Sequence, residues 1–178
     1  WLERMPFWED DEYWVSYADK YSDSDGKTHV FWKDYLRIYG ESLGEKEKSN
    51  VERFKAVCLG EGNLERRLSP KANRAALFII LYRDYPLLQM PFQLLNTLLD
   101  IDEQMATWRF RHINMVHRMI GLRVGTGGST GKDYLQAALN KHYIFKEIAE
   151  LTSFLVERTK LPVLDDDLVA ALSFGGKH

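Results

Sequence analysis

Between Phe92 and Gly121 the chain runs without a glycine or a proline, and Leu95, Leu98, Leu99, Met105, Trp108, His112, Met115, Val116 and Met119 recur at three- and four-residue steps. This is the period of a helix, and the uninterrupted run predicts one long amphipathic helix, with Asp100-Ile101-Asp102 as the place where a bend would fall. A second long amphipathic helix is predicted from Leu135, Ala138, Leu139, Phe145, Ile148, Ala149, Thr152 and Leu155, with Thr130 and Asp133 as its capping pair. Upstream, Ser69-Pro70 reads as an N-cap followed by proline at the first helical position. Ala72 to Arg83 then forms a buried helix that stops before Pro86. No stretch alternates at period two and no repeat of fixed period is visible, so the fold class is all-α: a helical bundle with long antiparallel helices.

The remaining segments are less regular. The first third is aromatic and acidic, and reads as short helices joined by a turn at Asp25-Gly26; Gly40 to Asn50 is polar and reads as a loop or an exposed helix start. With 178 residues, 45% of them hydrophobic, the chain is long enough to bury a core without a covalent staple. Its 24 Lys and Arg against 26 Asp and Glu leave a net charge of −2, which argues against a broad nucleic-acid surface. The single cysteine, Cys58, excludes an intrachain disulfide, a Cys-pair zinc site and covalent c-type haem attachment. No apolar run approaches the roughly 18 residues of a membrane span, and a cytoplasmic setting without membrane or nucleic-acid partners is the expectation.

Few residues have the pattern for chemistry. His112 and His117 lie five apart, about 140° around a helix, so they cannot both ligate one metal from one face. His112 shares its stripe with Met105, Trp108, Met115, Val116 and Met119. An imidazole in an apolar wall suits axial ligation of a haem, and it equally suits a hydrogen-bonded core histidine. The loop Gly125-Thr126-Gly127-Gly128-Ser129-Thr130-Gly131 fails the P-loop pattern, which needs glycine at Thr126 and a hydroxyl residue at Asp133. It fails the dinucleotide pattern at Thr130. Its glycines and hydroxyls can still approach a ligand closely, or can simply connect two helices. Cys58 has no neighbouring histidine to make it a catalytic thiol. Asp165-Asp166-Asp167 reads as a solvated run or helix start, and an EF-hand loop ending at Gly26 fails at Tyr21 and Trp32.

Several segments, taken in order, resemble the C-terminal half of the tryptophan 2,3-dioxygenase family: Pro91-Phe92-Gln93-Leu94-Leu95, Asp100-Ile101-Asp102, Trp108-Arg109-Phe110-Arg111-His112, Met115 to Gly121, and Gly125 to Ser129. Trp1-Leu2-Glu3-Arg4-Met5-Pro6 and Glu65-Arg66-Arg67-Leu68-Ser69 are similar to that family too. The resemblance implies an all-helical, homotetrameric enzyme of the kynurenine pathway that uses non-covalent haem b and O₂ to open the indole ring of L-tryptophan to N-formylkynurenine. It implies His112 as the axial iron ligand, with Trp108 beside the cofactor. Gly125 and Thr126 fall at the substrate, the threonine on its ammonium group; no role is carried onto His117.

The family's distal histidine and the arginine and tyrosine that hold the substrate carboxylate lie in an N-terminal half with no counterpart here, and residue 1 is Trp rather than Met. The expectation is that residues 1–178 are the C-terminal part of a single helical haem dioxygenase domain, with 1–50 an aromatic, acidic subregion and 51–178 the haem-ligating core. An upstream segment or another polypeptide would complete the site. Two other readings stand beside this one: a haem enzyme that oxygenates a different aromatic amino acid or indole, and a non-catalytic haem-binding fragment that needs a partner chain.

Overall fold

The structure, a computed structural model, describes residues 1–2, 30–120 and 143–173. All regular elements among them are helical, as the all-α reading requires. They are α1 (Val30–Ser42), α2 (Ser49–Phe54), α3 (Pro70–Leu81), α4 (Pro86–Ile120), α5 (Lys146–Glu150) and α6 (Asp166–Leu172). Short 3₁₀ turns cover Glu45–Glu47, Leu151–Phe154 and Arg158–Lys160, and a π turn covers Lys55–Leu59. No described helix is long and apolar enough to cross a membrane. Two compact units divide the chain, one formed by Trp1–Gln93 with Glu150–His178 and the other by Leu94–Ala149.

The first unit is organised by aromatic side chains. On α1, Trp32, Tyr35 and Tyr39 fall on one helical face, and all three are buried. They meet Phe54 at the end of α2, with ring centroids 6.5, 5.8 and 5.7 Å away. Phe154 closes the group edge-on against Phe54 at 5.3 Å and Tyr39 at 5.9 Å. The polar tips of the tyrosines find partners on the same turn: the Tyr35 hydroxyl donates to the Phe154 carbonyl at 2.6 Å and that of Tyr39 to the Ser153 carbonyl at 3.0 Å. The burial is thus obtained without a stranded hydroxyl.

Helix α3 starts as its sequence says: Ser69 Oγ accepts the Ala72 amide at 3.1 Å and Pro70 takes the first helical position. From Ala72 to Leu81 only Arg74 escapes full burial, because this helix is apolar nearly all round. The two polar side chains from Ala72 to Leu81 serve the π turn before the helix. Asn73 Nδ2 donates to the carbonyls of Val57, Leu68 and Ser69, and an Arg74 guanidinium nitrogen donates to the Cys58 carbonyl at 2.6 Å. A π turn disturbs the regular carbonyl ladder, and these donors take two of the carbonyls in it. Gly60 ends the turn at φ +75°, a conformation that favours glycine, and a Cβ there would stand 3.1 Å from the Pro70 ring. In the same unit Arg158 makes a two-pronged ion pair with Asp84, and the Tyr82 hydroxyl donates to the Pro162 carbonyl at 2.7 Å. Asp165 caps α6 by accepting the Leu168 amide, so the triple-aspartate run is a helix start.

Two sequence expectations need correction. The long helix begins at Pro86, not after Pro91. Pro86 occupies a first-turn position where its missing N–H is not needed, and the helix continues through Pro91 at the loss of one hydrogen bond. The second long helix is not continuous: Tyr143 to Phe145 are non-helical, α5 has five residues, and the chain passes through a 3₁₀ turn to an extended Leu155. Amides that a helix would have used internally bond to a carboxylate from elsewhere, as described below. Gly40 to Asn50 is neither wholly loop nor wholly helix, being the end of α1, a 3₁₀ turn and the start of α2. The turn at Asp25-Gly26 lies outside the described residues.

Phe54 is the ring on which the aromatic group converges. Phe54→Ala should lower the stability of the chain by about 3–5 kcal/mol, read as a fall in the urea midpoint without change in slope.

Candidate functional site

The second unit contains the histidine singled out from the sequence. On α4, 100° per residue places Leu94, Ile101, Met105, Trp108, His112, Met115 and Met119 within an arc of about 80°. All seven are exposed, Trp108 by 58% and Met119 by 77%. The pattern read as a stripe is therefore an apolar surface rather than core packing, which decides against the reading of His112 as a buried core histidine. Its imidazole stacks on the Trp108 indole, centroids 5.3 Å apart and planes 11° from parallel. The i, i+4 spacing brings the rings together, and the contact fixes the orientation of the imidazole plane.

A different face of the same helix, turned about 100° from the stripe, is buried. Leu95, Asp102 and Ile113 are there, exposed by no more than 8%. Asp102 is the informative member. One of its carboxylate oxygens accepts the Ile144 amide at 3.0 Å and the other the Phe145 amide at 2.6 Å. Two backbone amides donating to one carboxyl group, one to each oxygen, account for a polar side chain in this buried position. They also account for the break in the predicted second helix. The Phe145 carbonyl then accepts the amides of Ile148 and Ala149 and launches α5. Sequence reading missed this role, although the signal was present: Leu88, Leu95 and Asp102 are seven apart, which puts a charged residue in register with two buried leucines.

Gly125 and Thr126 lie outside the described residues, as does the side chain of His117. Cys58 is fully buried and far from thiolate chemistry: burial pushes its pKa up to about 12, against a smaller opposing pull from Arg74 and Arg66. Among the described residues no cluster of three or more His, Cys, Asp or Glu side chains could hold a bare metal ion. An exposed imidazole with its plane fixed by an indole, on a helix face of Met, Ile and Leu, suits a flat apolar prosthetic group whose metal needs one more nitrogen donor. The residues present therefore fit a haem.

Among the described residues these features define an all-helical arrangement that presents the His112 imidazole on an apolar helix face. A profile of tryptophan 2,3-dioxygenase matches residues 3–155. The chain is 38% identical to the tryptophan 2,3-dioxygenase of Bdellovibrio bacteriovorus over 98% of its own length and 52% of the relative's. It is 48% identical to that of Xenopus tropicalis over 72% of its length and 33% of the relative's. The corresponding figure for Dictyostelium discoideum is 36%, over 92% of this chain and 44% of the relative. The chain belongs to the tryptophan 2,3-dioxygenase family, and it spans about half the length, or less, of these relatives.

The buried thiol has a measurable consequence. Folded chain at pH 8 should react with iodoacetamide at a small fraction of the rate of urea-unfolded chain. Because the folded pKa lies above the ordinary 9.0, the folded state keeps a proton that the unfolded state releases. Stability should fall as pH rises from about 9 towards 12. Burial also raises Tyr35, Tyr39 and Tyr82, which act with the same sign at higher pH. Urea midpoints measured from pH 8 to 11 check the direction.

Proposed function

We propose that this chain is the haem-ligating, C-terminal part of a helical dioxygenase domain that opens the indole ring of L-tryptophan to N-formylkynurenine, the reaction of tryptophan catabolism to kynurenine. The observation that carries the reading is the position of His112, at the place of the family's axial histidine, exposed and stacked on Trp108 within an apolar helix face. Haem b, when bound, supplies the activation of O₂ for insertion of both oxygen atoms across the indole C2–C3 bond.

The chain's own residues have defined parts in this reading. His112 would supply a nitrogen lone pair to the haem iron, and Trp108 would hold the imidazole plane against rotation. Met105, Met115 and Met119 offer soft apolar surface that would keep water from a cofactor held at His112. Gly125 and Thr126 contact the substrate, with the threonine hydroxyl on its ammonium group. Their part is to orient the indole, which is where a protein contributes most to a reaction whose chemistry resides in a cofactor. The working protein is cytoplasmic and homotetrameric, and the remainder of the family's domain completes the pocket.

A second reading is favoured by one observation, that the chain spans 52% or less of each of these relatives. In it this chain binds haem and a partner polypeptide but does not turn over alone. Formation of N-formylkynurenine by the isolated chain at enzyme-like rates would overturn that reading. An enzyme that hydroxylates or monooxygenates an aromatic amino acid is distinguished by product analysis with ¹⁸O₂, since only dioxygenation puts both labelled atoms in one product.

The axial assignment is tested by titrating the chain with haem. The parent should develop a Soret band with one haem per chain, and His112→Ala should lose it while its far-ultraviolet circular dichroism stays helical. An unchanged Soret band in a folded His112→Ala chain removes His112 from the site.

A further inference from the structure

The chain has five methionines. The four at described positions, Met90, Met105, Met115 and Met119, are all on α4 and all exposed, by 37% or more. A methionine ordinarily fills irregular gaps in a core, yet among the described residues none is buried, and the core is built from Leu, Ile, Val, Ala and aromatic side chains instead. Three of the four surround the histidine. At 100° and 1.5 Å per residue, Met105, Met115 and Met119 fall within about 60° of His112 around the helix and within about 10 Å of it along the axis. Leucine would give this face a similar volume and the same lack of charge. What methionine adds is a sulfur that reacts.

We propose that Met105, Met115 and Met119 form an oxidation site that couples exposure to hydrogen peroxide to occupancy of the helix face around His112. A thioether lone pair attacks one oxygen of the peroxide, the O–O bond breaks, and the other oxygen leaves with both hydrogens as water. The sulfur gives up two electrons and becomes a sulfoxide. Each sulfoxide places a polar S–O dipole on a face that was apolar, and a flat apolar group seated there would have to strip that dipole of water. An occupant that covers the three sulfurs in turn slows their reaction with peroxide. The fold is spared, because these side chains lie on the exposed face of α4 and not on the buried one with Leu95, Asp102 and Ile113. Methionine sulfoxide reductases return the thioether, so the change is reversible. That the occupant is a haem rests on the proposed function; the exposure of the sulfurs and their chemistry do not.

Two measurements test the coupling. Haem-free chain is treated with dilute hydrogen peroxide, freed of oxidant and digested for mass spectrometry, where Met90, Met105, Met115 and Met119 should each gain one oxygen atom. Chain first loaded with zinc protoporphyrin, which takes one axial nitrogen and does not consume peroxide, should oxidise at Met90 as before and several-fold more slowly at the other three. Met90 serves as the internal control because it is twenty-two residues before His112. The oxidised chain, titrated with haem, should bind about tenfold more weakly than the untreated chain. It should recover on treatment with the reductases and keep its helical circular dichroism throughout. In a chain with Met105→Leu, Met115→Leu and Met119→Leu together, whatever its starting affinity, peroxide should cause no further change in haem binding. An unchanged affinity after all three sulfurs are oxidised overturns the proposal. So does a loss that the reductases do not reverse, that persists in the triple variant, or that accompanies loss of helix. Equal oxidation with and without the porphyrin overturns it as well. If the untreated chain develops no Soret band with haem, the functional reading fails and the coupling with it; a band that forms equally before and after oxidation defeats the coupling alone.

Discussion

The convergence of four aromatic rings on Phe54 is the constraint from which the first unit follows. Trp32, Tyr35 and Tyr39 come from α1, Phe154 from a turn more than a hundred residues later, and each contributes a large apolar surface to one site. Dispersion and hydrophobic burial are indifferent to direction, so rings alone would leave the register of α1 against that turn loosely specified. The two tyrosine hydroxyls remove the freedom. Their acceptors are successive carbonyls, those of Ser153 and Phe154, and a slip of α1 by one residue would strand both donors in a space that water does not reach.

The π turn at Lys55–Leu59 is stabilised in the same manner, by polar groups delivered from a hydrophobic element. It places Val57 and Cys58 in the core while leaving their carbonyls to be satisfied from α3, and Asn73 and Arg74 are the two polar side chains in that helix's buried run. Burial lowers the affinity of the Arg74 guanidinium for its proton, and the Cys58 carbonyl is the partner at its end. Replacing either side chain with an apolar one would leave a buried carbonyl without its donor, so the sequence is constrained here although nothing catalytic is nearby.

Local signals were legible in the sequence; distant ones were not. Ser69-Pro70, Asp165 before α6, the buried run of α3 and the existence of α4 all depend on interactions within a few residues, and periodicity or cap chemistry reveals them. Helix α4 starts earlier than its sequence suggests because proline is a strong local breaker, yet the packing of Leu88 and its neighbours outweighs the one hydrogen bond forgone at Pro91. The second helix is shorter than its sequence suggests for the opposite reason. Tyr143 to Leu155 has helical periodicity, but its first amides are captured by Asp102, forty-two residues earlier, and no local pattern encodes a partner at that distance. Of the candidate site, the juxtaposition of His112 and Trp108 is legible, because their four-residue spacing lies within one helix.

The two faces of α4 divide the work of the second unit between them. One face is buried and carries Leu95, Asp102 and Ile113; the other is exposed and carries Trp108 and His112. An apolar stripe of seven residues in solvent is unfavourable unless something covers it, so its retention in a chain with enough charge to solvate a helix face implies a ligand or partner surface. In the proposed function the occupant around His112 is the haem. A ligand site built on the exposed face of a helix is only as well ordered as the contacts on its other side, and here those contacts include a carboxyl group held by two backbone amides.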